Sequence, residues 1–229
     1  MPIKDSLQET NWREAAALLG LMVVVFLLWN TWVIYPLKIL VVFFHESSHG
    51  IVAYATGGRV VAIRLEAAQG GLCVTQGGNR FLTLTAGYLG SLVWGGILLT
   101  WASRGRGAKI AAGLLGAAIL FVSMVFIRPL LSFGFAFGVL TGAAMLLLAF
   151  RLPDWCNATV LKVVGLTSCF YAVLDIKSDI IDRPYLRSDA SMLAELTHVP
   201  TLVWGVLWIA VAVPAALWFL HLATRKTAE

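Results

Sequence analysis

Three ionisable residues stand in the middle of an apolar run. Between Val41 and Tyr54 the chain reads VVFFHESSHGIVAY, so His45, Glu46 and His49 are flanked on both sides by residues that favour hydrocarbon. On a helix, positions i and i+4 share one face a turn apart, so His45 and His49 project together. Two imidazoles placed that way can hold one zinc ion, and Glu46 between them can serve as general base on a water that the metal activates. Zinc lowers the pKa of such a water toward about 7, which supplies the nucleophile that a bilayer interior lacks. The bland alternative is a pair of histidines hydrogen-bonded to neighbours. Ionisable residues within membrane segments are rare and mark functional sites by default, which favours the metal centre.

A zinc site that keeps one position open for water needs a third protein ligand. No histidine follows soon after His49, so the extended pattern H-E-x-x-H-x-x-G-x-x-H is absent. His221 ends the last apolar run and reads as interfacial, and His198 lies in a polar segment. Among the carboxylates Asp175 ranks first, because it ends the run CFYAVLD, where it is costly unless paired or ligating. Asp179 ranks second, one turn further on and in more polar company. Glu66 ranks third, by analogy with zincins whose third ligand is a downstream glutamate.

The elements that position these residues belong to a membrane protein. Of the 229 residues, 59% are hydrophobic and only 13% charged, against roughly 25% charged in a typical soluble chain. Mean hydropathy is +0.84. Apolar runs close to 20 residues long recur, enough to cross a hydrocarbon layer of about 30 Å. The expected fold is an all-α polytopic membrane protein of about six or seven transmembrane helices, with a small β-hairpin after the second. The net charge of +5 is modest, and the basic residues are scattered through short loops and the last residues, facing a lipid bilayer rather than nucleic acid. Cys73, Cys156 and Cys169 form no C-x-x-C pair and read as small apolar residues.

Helix one is expected over about 15–34, broken at Tyr35-Pro36, and helix two over about 37–55, stopped by Gly57-Gly58. Residues 59–79 are β-branched and glycine-rich and predict a hairpin turning at Gly70-Gly71. Its strand edges need partners, which places it in an aqueous cavity, at the interface or against a substrate strand. Further helices are expected over about 81–102, 110–127, up to about 150, 156–176 and 200–222, with 177–199 as a polar loop. The tight Arg128-Pro129 turn also allows helices four and five to be a re-entrant pair. Lysines and arginines divide almost evenly between the two sides, so the charge rule gives no orientation. Trp12, Trp32, Trp101, Trp155 and Trp204 fall near helix ends and fit an interfacial aromatic belt. The whole chain, 1–229, reads as one integral-membrane unit with its core over about 37–182.

An H-E-x-x-H on a membrane helix, a glycine-rich hairpin after it and a Leu174-Asp175 pair ending a distant membrane helix resemble the site-2 proteases, which are intramembrane zinc metallopeptidases. The segment Ala86-Gly87-Tyr88-Leu89-Gly90-Ser91 is similar to one in a compact branch of that superfamily found in bacteria and fungi. The resemblance spans roughly residues 37–182. It implies zinc held by His45, His49 and Asp175, with Glu46 as the catalytic base, in the cell or inner membrane of a bacterium. Here the aspartate is followed by Ile176-Lys177 where the family usually has glycine, and no Asn-Pro pair precedes it. Asp179 therefore stands as the alternative third ligand.

The function expected is hydrolysis of a peptide bond in or near the membrane segment of a membrane-anchored protein or peptide. The rival from another class is a membrane metal-binding, transport or scaffold protein without hydrolytic activity. A transporter is expected to show further intramembrane carboxylates or histidines along a path, and the chain has few outside the two motif segments.

Overall fold

The computed structural model describes residues 10–182, 185 and 187–225. Among them are eight α-helices and one hairpin: α1 Trp12–Leu27, α2 Tyr35–Ala55, β1 Arg59–Leu65, β2 Gly71–Gln76, α3 Arg80–Ala102, α4 Ala108–Phe126, α5 Phe133–Arg151, α6 Asp154–Lys177, α7 Asp189–Thr197 and α8 Thr201–Thr224. A π-helical turn, Ser178–Asp182, prolongs α6. Five helices are long and apolar enough to cross a membrane: α3, α4, α5, α6 with its π turn, and α8. The all-helical membrane architecture with a small hairpin is therefore the one the composition implied.

The boundaries differ in instructive places. Helix α1 stops at Leu27, well short of 34, and Thr31 turns the chain by donating its hydroxyl to the Leu28 carbonyl at 2.6 Å. Pro36 opens α2 rather than separating two helices, since at the first turn its missing N–H leaves no bond unmade. Helices α4 and α5 each have 19 residues, long enough to span. The larger departure is at 177–199, expected to be a loop. It holds the π turn and α7, a nine-residue helix closed by a reciprocal capping pair, in which Ser188 and Ser191 satisfy each other's backbone N–H groups. Ala190 and Leu193 on one face of α7 are fully buried against Leu84, Tyr88 and Trp208. Two apolar positions three apart anchor one face of the helix in the core.

Helix α3 is the hub. It packs against α2, α6, α7 and α8. Its approach to α6 is backbone to backbone: a Cβ on Gly95 would lie 2.8 Å from the Gly165 carbonyl oxygen. Small residues permit such approach where no aqueous hydrophobic effect drives helices together. Helices α4 and α5 form a second layer against α6.

The hairpin lies on α2. Its strands pair antiparallel from Arg59 opposite Gln76 to Leu65 opposite Gly71, with a bulge between Val60 and Ala62. Ile63 and Leu65 point into the core. The outer edge of β1 is covered, because Ile63 pairs with Ile127 and its carbonyl accepts from the Arg128 N–H at 3.1 Å. That bridge answers the edge problem predicted for a hairpin in an apolar protein.

Candidate metal centre

Helix α2 presents the motif as its spacing requires. The His45 and His49 rings stand 4.8 Å apart and edge to face, and Glu46 and His49 are each 6% exposed. The Nε2 atoms of both histidines converge on one carboxylate oxygen. Asp189 Oδ2 lies 2.9 Å from Nε2 of His45 and 3.1 Å from Nε2 of His49. These three donors are the group of the described residues that could hold a metal ion, with their ligand atoms within 4.8 Å of one another.

Asp189 comes from the first turn of α7, held between α3 and α8. Burial opposes ionisation of its carboxyl, but His49 and His45 overcome that and hold it well below the usual carboxylate range. The group is thus a carboxylate, the form a metal takes.

The residues fit a zinc ion. A tetrahedral site with bonds of about 2.1 Å places its ligand atoms about 3.4 Å apart, a few tenths of an ångström beyond the two nitrogen–oxygen spacings seen. Two imidazoles and one carboxylate leave a fourth position for water or substrate. Space for the site depends on Gly87 of α3, where a Cβ would overlap Nε2 of His45 and come within 2.7 Å of Asp189 Oδ2.

The second nitrogen of each ring also has a neighbour. Nδ1 of His49 donates to the Thr83 carbonyl at 2.6 Å, since a carbonyl only accepts. Nδ1 of His45 faces Asp175 Oδ2 at 3.9 Å. Asp179 accepts from the Tyr88 hydroxyl at 2.5 Å, and the Tyr88 ring stands edge-on to His45 at 5.0 Å. Asp175 and Asp179 therefore sit around the histidine pair, while the position facing both Nε2 atoms is taken by Asp189.

Glu46 is set from the other side by the hairpin. Its carboxylate lies against the start of β2. A Cβ on Gly71 would overlap that carboxylate, so glycine is needed there for close approach. Burial, with the carboxylates of Glu46 and Asp189 adding to it, pushes the Cys73 thiol up to about 12. Cys73 thus borders the site as a neutral thiol.

The other sequence-derived candidates fall away from the centre. Glu66 is exposed at the hairpin turn, where its N–H donates to the Gly70 carbonyl at 2.9 Å. His198 is exposed at the C-cap of α7, and His221 is exposed near the end of α8. Thr85 and Ser91 bond within their own helix, to Phe81 and Tyr88 carbonyls at 2.9 Å each. The Thr83 hydroxyl is buried beside the site and has no hydrogen-bond partner among the described residues. Trp12, Trp32 and Trp155 are strongly exposed, as a belt requires, whereas Trp204 packs on Phe81 and Trp208 and donates to Thr197 at 3.1 Å.

Asp189 is the site residue that the sequence reading missed. Its segment, SDASMLAELT, is polar, so no apolar surroundings flagged the carboxylate. The available signal was local: a Ser188-x-x-Ser191 cap overlapping Ala190 and Leu193 at helical spacing, with the aspartate in the first turn.

No curated protein and no solved structure matches the chain significantly. A family model does match, over residues 18–219, and it is described as Peptidase M50B-like. That span takes in α2 with His45, Glu46 and His49, the hairpin, and α7 with Asp189, and the chain belongs to the Peptidase M50B-like family.

Proposed function

We propose that this protein is an intramembrane zinc metallopeptidase that hydrolyses a peptide bond in or near the membrane segment of a membrane-anchored protein. The observation that carries the reading is the convergence of Nε2 of His45 and Nε2 of His49 on Asp189 Oδ2, with Glu46 buried next to them. His45, His49 and Asp189 hold the zinc. When bound, zinc polarises the scissile carbonyl and makes a water nucleophilic at neutral pH.

Glu46 takes the proton from the attacking water and returns it to the leaving amine. The β2 backbone at Gly71, packed close against the Glu46 carboxylate, holds it beside the site. Thr83 fixes the His49 ring by accepting from Nδ1, which leaves Nε2 for the metal. The low exposure of Glu46, His49 and Asp189 restricts bulk water and strengthens each of these interactions.

The substrate segment has to unwind before a peptide bond is presented. Ile127 and Arg128 occupy the β1 edge, and β2 lies against Glu46 at Gly71. An extended segment adding to β2 would run past the base, with main-chain bonds supplying affinity. The apolar spans and the family support an integral location, which we assign to the cell membrane of a bacterium.

The test is a purified Glu46→Gln variant assayed on a reporter membrane peptide. Loss of cleavage with zinc still bound is expected. Cleavage at the wild-type rate would overturn the mechanism, and a wild-type protein that binds zinc without cutting any membrane peptide would favour the binding or scaffold role.

A further inference from the structure

We infer that Asp175 and Asp179 are positioning residues that hold the His45 ring with Nε2 toward the metal, an inference that rests on the zinc-peptidase reading above. A metal-ligating histidine almost always donates its other ring N–H to a carboxylate, carbonyl or water, which fixes both tautomer and ring orientation. His49 meets this rule through the Thr83 carbonyl at 2.6 Å. For His45, the group facing Nδ1 is the Asp175 carboxylate at 3.9 Å. That separation exceeds a hydrogen bond, but the Asp175 side chain is 18% exposed and a movement of about 1 Å closes the gap.

Asp179 acts on the same ring through Tyr88. It accepts from the Tyr88 hydroxyl at 2.5 Å, and Tyr88 is 1% exposed, wedged between His45 at 5.0 Å and Trp208 at 4.9 Å. The ring that walls His45 is thereby fixed at its far end. The two carboxylates lie one turn apart near the end of a helix apolar enough to span a membrane. Neither faces the Nε2 atoms, and the third ligand position is already supplied by Asp189.

The experiment is zinc affinity, measured by competition with a chromophoric chelator. The proteins are wild type, Asp175→Ala, Asp175→Asn, Tyr88→Phe and Asp189→Ala, each compared also as its cobalt(II)-substituted form. Asp175→Ala is expected to weaken zinc by about ten- to a hundredfold, with full occupancy regained at higher zinc and the cobalt spectrum unchanged. Asp175→Asn, whose amide oxygen still accepts from Nδ1–H, should recover most of the loss. Tyr88→Phe should weaken zinc measurably but by less than Asp175→Ala, and Asp189→Ala should bind far more weakly than any of these. If Asp175→Ala loses zinc as completely as Asp189→Ala, or changes the cobalt spectrum, Asp175 is a ligand and the inference is wrong. Affinity within about twofold of wild type in both Asp175 variants would also overturn it. A wild-type protein that binds no zinc would remove the zinc-peptidase reading itself, which is a separate failure.

Discussion

Asp189 Oδ2 and His45 Nε2 lie 2.9 Å apart although 144 residues separate them in the chain. The contact joins α7 to α2 across α3, and α3 leaves room for it only because position 87 is glycine. The candidate metal centre is therefore assembled by packing, and its geometry depends on a residue outside the three candidate ligands.

Gly71 and Gly87 should fail in different ways. Gly71→Ala puts a methyl group into the Glu46 carboxylate and leaves the three ligands alone. Cleavage should fall by about a hundredfold, the size expected for an ångström-scale misplacement of a catalytic group, while zinc content stays at the wild-type level. Gly87→Ala overlaps His45 Nε2 and should reduce zinc content itself. Parallel zinc and activity assays on the two variants check the contrast.

The capping of α7 should be felt at the metal. Ser188→Ala removes the oxygen that accepts from the Ser191 N–H at 3.3 Å. Losing such a cap costs about 1 kcal/mol, and if that cost falls on α7 docking, zinc affinity drops about fivefold. A chelator titration reads it, and Ser188→Asp, which keeps a capping oxygen, should restore most of the affinity.

Cys73 should titrate as a buried thiol. In a variant with Cys156 and Cys169 replaced, the alkylation rate of metal-free protein follows the thiolate fraction. With a pKa near 12 the thiol is protonated throughout the working range, so the rate should climb about tenfold per pH unit from pH 7 to pH 10. An unperturbed thiol levels off above about pH 8.5. Replacing Glu46 with glutamine removes one of the charges that raise this pKa, so the rate at a given pH should increase.

Much of this architecture was legible in the sequence for physical reasons. Apolar runs near 20 residues leave the backbone no choice but helix in a bilayer, which fixed most of the spans. His45, Glu46 and His49 could be read because each is expensive where it stands. The same logic pointed to a different carboxylate from the one the structure brings to both Nε2 atoms. It favoured Asp175, the carboxylate in the most apolar setting, and Asp179 after it. Asp189 lies in a polar stretch, and its burial arises only when α7 docks through Ala190 and Leu193. Cost is a local property of sequence, whereas convergence on His45 and His49 is a property of tertiary packing. The hairpin was likewise legible from its β-branched residues and glycines, but the covering of its edge by Ile127 and Arg128 was not.

The most direct measurement is the zinc content of purified Asp189→Ala beside wild type, after both are loaded with zinc and passed through a desalting step. If Asp189 closes the centre, wild type retains one zinc per chain and Asp189→Ala retains almost none, with both proteins still folded. One zinc per chain in Asp189→Ala would contradict the account and return the third ligand position to another carboxylate.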